Sequence, residues 1–128
     1  MKLRVEVDRE PLAPGAVVAG RVVVEDGGRA RSLSVRLAFV ERTADFHTVA
    51  RTAEERTVAE GDLAAGAVVP FQLRLPDDAP PAVATAHARV GWELRARVDR
   101  LGPDAVADHP VELQRGYTAQ DRERWPSG

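Results

Sequence analysis

The clearest hydrophobic pattern in this chain is a strict alternation of apolar and polar residues over positions 88–99. The apolar parity comprises Ala88, Val90, Trp92, Leu94, Ala96 and Val98, and the other parity comprises Arg89, Gly91, Glu93, Arg95, Arg97 and Asp99. Because successive side chains of a strand point to opposite faces, the pattern predicts a strand with one buried face and one charged face. A strand this long and this two-sided needs a sheet beside it, and we expect a second sheet to pack beneath Trp92.

The same alternation predicts shorter strands elsewhere in the chain. They cover residues 2–8, 16–25, 32–39, 69–75 and 106–114. Turn-forming proline and glycine residues separate these stretches. Gly20 lies inside the second stretch, which indicates a bulge or a close approach of another backbone. In the last stretch we expect Val111 and Leu113 to point inward.

Residues 43–60 carry two competing patterns. Helical spacing relates Phe46, Val49, Ala50, Ala53 and Thr57, and several neighbours favour helices. The threonine and valine content favours strands instead. We favour two strands, His47–Thr52 and Arg56–Glu60, because every clear neighbour is a strand, and the helix stays open as the alternative.

Together these segments amount to seven or eight strands at turn spacings of about ten residues. The sequence therefore predicts an all-β fold, an antiparallel β-sandwich of immunoglobulin-like type, in one domain over residues 1–115. A Pro/Ala-rich loop without periodicity interrupts it at 76–87. Residues 116–128 read as a polar C-terminal tail, either frayed or with one helical turn that places Trp125 on a neighbouring surface.

Composition narrows the function classes. The 128 residues contain no cysteine and carry a formal net charge of −2, so we expect no disulfide, no thiolate metal site and no broad basic face for nucleic acid. No apolar run is long enough to predict a transmembrane segment. The N-terminus enters a strand pattern directly, without a signal-peptide core, and we expect a cytoplasmic protein.

Catalytic constellations are not recognisable in the sequence. His47, His87 and His109 have neighbouring carboxylates, but their spacing matches no compact metal or acid–base site, and we expect surface histidines. No serine lies in a nucleophile-elbow context, and no glycine-rich loop is placed to hold a phosphate. We therefore expect no enzyme activity, no cofactor and no metal.

The charged parity of residues 88–99 supplies the candidate binding residues Arg89, Arg95 and Arg97. One interpretation is a solvated sheet face with cross-strand ion pairs. The other is a concave arginine surface that receives an acidic or phosphorylated segment through bidentate contacts. Trp125 is the further candidate contact residue, whereas Trp92 has core parity.

Three short motifs, taken in order, carry a family resemblance. They are a Pro14–Gly15 turn before a Val-rich strand that contains Gly20, the segment PFQLRLP at 70–76, and VGWELRARVD at 90–99. They resemble the "pGe", "f.l.lP" and "v.Y.l.v.vd" patterns of arrestin-like domains, closest to the N-terminal domain and including bacterial sporulation-control-type members. The resemblance covers about residues 3–115. It departs from the family in having room for one sandwich instead of two, and in lacking the Ser-aromatic element after Pro76.

What the resemblance implies is an arrestin-like scaffold that binds other proteins and has no catalytic centre. We do not carry over phosphate sensing by N-terminal lysines, because only Lys2 and Arg4 are candidates for it. The predicted function is a protein-interaction adaptor that uses an edge strand or the arginine-bearing face, with a homodimer through edge strands as an open variant. The alternative is a small-molecule- or carbohydrate-binding sandwich, or an accessory domain of an enzyme.

Overall fold

The computed structural model describes residues 1–114, and the predicted tail with Trp125 lies outside this range. Eight strands follow one another along the chain. They are β1 (Lys2–Val7), β2 (Val17–Asp26), β3 (Ser32–Thr43), β4 (His47–Glu60), β5 (Val68–Arg74), β6 (Val83–Ala84), β7 (Ala88–Asp99) and β8 (Ala105–Pro110). Within residues 1–114 there is no helix of the length and apolarity that a membrane crossing requires.

The strands form two antiparallel sheets, which confirms the predicted β-sandwich. The smaller sheet has the order β1-β2-β5, and the larger has the order β4-β3-β7. The short strand β6 and the strand β8 both pair with β7, at residues 89–90 and 93–98 respectively. Since β3 pairs with β7 along its whole length, β6 and β8 share the opposite edge of β7.

The core lies between the sheets and is built from the predicted inward parities. In β7, Trp92, Leu94, Ala96 and Val98 are buried. The other strands contribute Val18, Val22, Val24, Leu33, Val35, Leu37, Phe71 and Leu73, and Leu75 follows directly after β5. Phe39 is half-buried and packs its ring against that of Trp92, with centroids 5.3 Å apart. Trp92 belongs to the buried cluster that also contains Val22 and Leu73 of the smaller sheet, as expected.

The segment with two competing patterns, residues 43–60, contains one continuous strand, β4, where we expected two. Its pairing with β3 shifts register at three places, so that Ala50, Ala53 and Val58 are extra residues without partners. Each bulge leaves one residue of β4 unpaired, and the strand continues through the residues that favour a helix. Backbone pairing with β3 overrides local propensity, and the helical alternative is wrong.

The last strand is shorter than expected, because β8 ends at Pro110. After it, the Val111 N–H donates to the Trp92 carbonyl at 2.9 Å, and the chain then runs beside Leu12, in the segment between β1 and β2. There the Leu12 N–H donates to the Glu112 carbonyl (2.9 Å) and the Gln114 N–H donates to the Leu12 carbonyl (2.8 Å). The expected inward position of Val111 is confirmed by its burial.

The loop at 76–87 is tied to the core at two points. Ala79 is buried, and the indole Nε1–H of Trp92 donates to the Pro80 carbonyl at 3.1 Å. Further along the same loop, Val83 and Ala84 form β6 against β7.

Candidate functional site

The outer face of the larger sheet carries the charged parity of β7, as the alternation predicts. Cross-strand pairing places Arg36 of β3 opposite Arg95, and Ser34 opposite Arg97. Near the other end of the face, Arg42 lies opposite Arg89. Two arginines of β7, Arg89 and Arg95, therefore face arginines of β3, which the sequence of β7 alone does not reveal.

A chain of ion pairs crosses the middle of this face. Arg42 donates to both carboxylate oxygens of Glu93 at 2.9 and 2.6 Å, and its Nη2 lies 3.3 Å from Asp108. Asp108 in turn accepts two hydrogen bonds from Arg95, at 2.7 and 3.0 Å. Glu93 is the buried charged residue of the described chain, and its bidentate partner compensates for the lost hydration.

The same contacts fix the charge states of the network. Partial burial acts to raise the pKa of Asp108, but hydrogen bonds and charge from Arg95, and then from Arg42, hold it below its ordinary value. The hydrogen bond to Glu93 raises the pKa of Arg42, and the one to Asp108 raises the pKa of Arg95. All three groups remain ionised at neutral pH, so the network links β3, β7 and β8 through fixed charges.

Beside this network lies a small cleft, which we call the arginine cleft. It has a volume of about 120 Å³ and is lined by Ser34, Arg36, Glu55, Arg95 and Arg97. The Nε of Arg36 is buried and has no hydrogen-bond partner among the described residues. Arg97 is about half exposed, and its Nη1 lies 3.9 Å from a carboxylate oxygen of Asp104.

The predicted candidate residues lie at different places in the structure. Arg95 and Arg97 meet in the arginine cleft, where Arg95 is also tied to Asp108. Arg89 is exposed and lies outside that cleft. Trp125 lies outside the described residues. Cross-strand ion pairs and an arginine-lined concavity are both present on this face.

Arg36 is the cleft residue that sequence reasoning missed. It has outward parity in β3, between the inward residues Val35 and Leu37. The sequence predicts that parity, but it does not predict the register that places Arg36 opposite Arg95. Only the pairing of β3 with β7 brings the two guanidinium groups together.

A second, larger cleft lies on the β7 edge between β6 and β8, with a volume of about 410 Å³. Its lining includes Val40, Gly91, Ala82, Arg89 and Pro110. A Cβ at Gly91 would lie 3.4 Å from the Ala82 methyl group, which is an ordinary contact.

The histidines do not form a common site. His109 Nε2 lies 2.6 Å from Glu10, His47 Nε2 lies 3.6 Å from Glu93, and His87 is exposed in a turn. Within residues 1–114 no group of three or more histidine, aspartate or glutamate side chains is arranged to hold a metal ion.

The two antiparallel sheets form a β-sandwich, and its fold is similar to that of a solved arrestin-like structure. The crystal structure of Spo0M, a sporulation control protein from Bacillus subtilis, matches with a TM-score of 0.68 and 19% sequence identity. The match covers 90% of this chain and 49% of that one, so the chain spans about half the length of the solved structure. It confirms the resemblance to sporulation-control-type arrestin-like domains at the level of the fold. No protein-family model and no curated protein matches the chain.

Proposed function

We propose that this chain is a non-catalytic interaction module that binds a protein partner through the outer face of the larger sheet. The observation that carries the proposal is the arginine cleft, where Arg36 and Arg97 offer positive charge to a ligand. Nearby carboxylates, including Asp108 and Glu93, are already engaged by Arg95 and Arg42. Glu55 of β4 lies opposite Arg36 and lines the same cleft. Guanidinium groups in a concavity of this face suit an acidic segment of a partner. Spo0M is titled a sporulation control protein, and a regulatory role fits that likeness.

Binding through an edge strand is the weaker version of this proposal. The longest edge is β4, whose outer side is free of strand pairing within residues 1–114. Three register shifts and charged residues such as Arg51 and Glu55 interrupt it, and both features discourage strand addition. The edges of β1 and β8 lie close together, next to the bridge between Leu12 and Leu113.

A homodimer through edge strands is a further proposal, and it has a direct test. Light scattering over a wide concentration range should show a rising mass if β4 edges pair between copies. A constant monomer mass at high concentration would exclude the homodimer and leave the face as the binding surface. We propose the cytoplasm as the location of this protein.

The structure also selects the variant that tests the face. Arg95→Glu would place a carboxylate against Asp108 and damage the fold, so it is unsuitable. Arg36→Gln with Arg97→Gln removes two charges of the cleft without placing a carboxylate opposite Glu55 and without breaking a short ion pair. The matched control, Arg9→Gln with Arg29→Gln, makes the same charge change at exposed loop positions.

The experiment is affinity capture from native lysate followed by mass spectrometry. A partner that the native chain and the loop control retain, and the cleft variant loses, supports the proposal. Equal retention by both variants would exclude the arginine cleft as the contact surface. If both variants retain the partner equally, and a Thr52→Pro substitution in β4 also leaves its capture unchanged, binding through the β4 edge is excluded as well.

A small-molecule site is the second candidate function, and the cleft at Gly91 favours it. Its volume of about 410 Å³ falls within the range of about 300–1,000 Å³ usual for ligand pockets. A thermal-shift screen tests this function. A ligand that raises the melting temperature of the native chain, but not of Gly91→Leu, would support it.

A further inference from the structure

We propose that the cleft at Gly91 binds a small hydrophobic carboxylate, with the carboxylate group on Arg89 and the apolar body along the aliphatic side chains of the cleft. The inference rests on the second candidate function, the small-molecule site, and deepens it by naming the class of ligand. It does not involve the arginine cleft, because Arg36, Arg95 and Arg97 do not line the cleft at Gly91.

The first support is the apolar part of the lining. Aliphatic side chains surround the cleft from four strands and the segment after β8, namely Val40 of β3, Val83 of β6, Val90 of β7, Pro110 of β8 and Val111. Val83 is 54% exposed, so part of this apolar surface is in contact with water. A ligand body that covers it gains hydrophobic free energy.

The second support is the state of the charged residues in the lining, which are Arg42, Arg89, Glu93 and Asp108. Arg42 already holds Glu93 through two hydrogen bonds. Asp108 is shared between Arg42 and Arg95. No ion pair within residues 1–114 involves Arg89, and its side chain is exposed. Arg89 is therefore the charged group of the cleft that a ligand can bind without breaking an existing pair.

The position of Arg89 in the sheet favours an anion beside it. Arg89 lies directly opposite Arg42 in the register of β3 and β7, and like charges in that position destabilise a sheet. Glu93 and Asp108 compensate the charge of Arg42. A carboxylate on Arg89 would compensate the second charge of this pair in the same way.

The surroundings select a single carboxylate over other charged ligands. A cationic ligand would need a carboxylate of the cleft, but both oxygens of Glu93 accept from Arg42, and Asp108 accepts from two arginines. A polyanion would bring several charges close to these carboxylates, with one guanidinium to bind it. One carboxylate group matches one guanidinium through two parallel hydrogen bonds.

The size of the cleft requires an apolar body on the ligand. The volume of about 410 Å³ equals roughly fourteen water molecules at about 30 Å³ each. A bare anion such as acetate would leave most of this space to water. An aromatic or alkyl body would fill it and contact the valine side chains.

The first experiment compares three probes that share one apolar body: phenylbutyrate, phenylbutanol and phenylbutylamine. Amide NMR signals of Arg89, Gly91 and Val111 should shift saturably with phenylbutyrate at low ionic strength. Phenylbutyrate should bind about three- to tenfold more tightly than the alcohol, and the amine more weakly than the alcohol, because the free charge of the cleft is positive. Absence of a saturable shift with phenylbutyrate would overturn the proposal.

Variants of Arg89 test where the carboxylate binds. Arg89→Gln should lower the affinity for phenylbutyrate to that for phenylbutanol and leave the affinity for the alcohol unchanged. Arg89→Lys keeps the charge and should retain a preference for the acid. Arg29→Gln, the same charge change at an exposed loop position, should bind as the native chain does. A full preference for the acid in Arg89→Gln would contradict the assignment to Arg89.

Stability distinguishes a ligand-binding role of Arg89 from a structural one. Without ligand, Arg89→Gln should melt at the temperature of the native chain, because Arg89 is exposed and forms no ion pair within residues 1–114. Phenylbutyrate should raise the melting temperature of the native chain and of Arg29→Gln more than that of Arg89→Gln. A markedly lower melting temperature of ligand-free Arg89→Gln would make Arg89 a structural residue and overturn the proposal.

The outcomes separate this inference from the function on which it rests. Equal affinity for the acid and the alcohol, with both lost in Gly91→Leu, would overturn the carboxylate assignment and leave the small-molecule function standing. Binding of the acid that Gly91→Leu does not weaken would place the ligand elsewhere and overturn both. Capture of a protein partner through Arg36 and Arg97 is measured independently of these probes.

Discussion

Gly20 shows at the scale of one residue how closely β1 and β2 pack. A Cβ at this position would overlap the Glu6 carbonyl oxygen and would lie 3.0 Å from the ring of Phe71. The close backbone approach expected from the sequence is therefore present. Neither the backbone oxygen nor the buried ring can move away cheaply.

Gly20→Ala should therefore lower the free energy of unfolding by about 1–3 kcal/mol or more, as overpacking does. Gly91→Ala is the matched control, because its Cβ would make an ordinary contact of 3.4 Å with Ala82. Urea unfolding followed by circular dichroism measures both changes. Equal stability of the two variants would show that β1 shifts freely away from β2.

Asp108 makes the stability of the fold depend on pH in the acidic range. Its pKa is lowered in the folded chain, so the folded state binds fewer protons than the unfolded state as the pH falls. The stability contributed by Asp108 is therefore full above its unfolded pKa of about 3.9 and is lost below it. Asp108→Asn should be less stable at neutral pH and should lose less stability between about pH 5 and pH 2.

Urea unfolding at several pH values checks this prediction. Asp78→Asn serves as control, because its carboxylate is exposed and contacts Arg51 at 3.3 Å on the surface. The control should follow the native curve. A native-like acid response in Asp108→Asn would mean that its pairs with Arg95 and Arg42 do not contribute to stability.

At the scale of elements, the tie between β7 and the loop at 76–87 makes a local prediction. Trp92→Phe keeps a buried aromatic ring and removes the N–H that donates to the Pro80 carbonyl. We expect a loss of about 1 kcal/mol and faster proteolytic cleavage within the loop. Phe71→Leu, a buried substitution in β5, should lower stability without selective loop cleavage. Identical cleavage patterns would show that the indole bond does not hold the loop.

How well each element could be predicted depended on how differently its two faces are buried. In β2, β5 and β7 the residues of one parity, such as Val22, Phe71 and Leu94, are in the core, and these strands could be recognised in the sequence. In β4 both faces are largely exposed and three bulges break the period, so the pattern was ambiguous. The candidate site was likewise predicted only in part. The sequence indicated which face Arg95 lies on, but it did not indicate that Arg36 lies opposite Arg95.

At the scale of the whole molecule, one core joins the two sheets. The buried cluster combines Val22 of the smaller sheet with Leu94 of the larger sheet, and no separate core serves either sheet within residues 1–114. Because β1, β2 and β5 bury their apolar side only against the larger sheet, neither layer keeps its hydrophobic stabilisation alone. The two sheets should therefore unfold in one transition.

Leu94→Ala tests this cooperativity, because Leu94 is fully buried in the central strand of the larger sheet. The loss of transfer free energy and the cavity should cost about 2–5 kcal/mol. In hydrogen exchange, amides of β2 in the opposite sheet should lose protection by the same free energy as those of β7. Leu101→Ala is the control, since Leu101 is 91% exposed and should change stability by less than about 0.5 kcal/mol. Unchanged protection of β2 in Leu94→Ala would mean that the smaller sheet opens independently of the larger sheet.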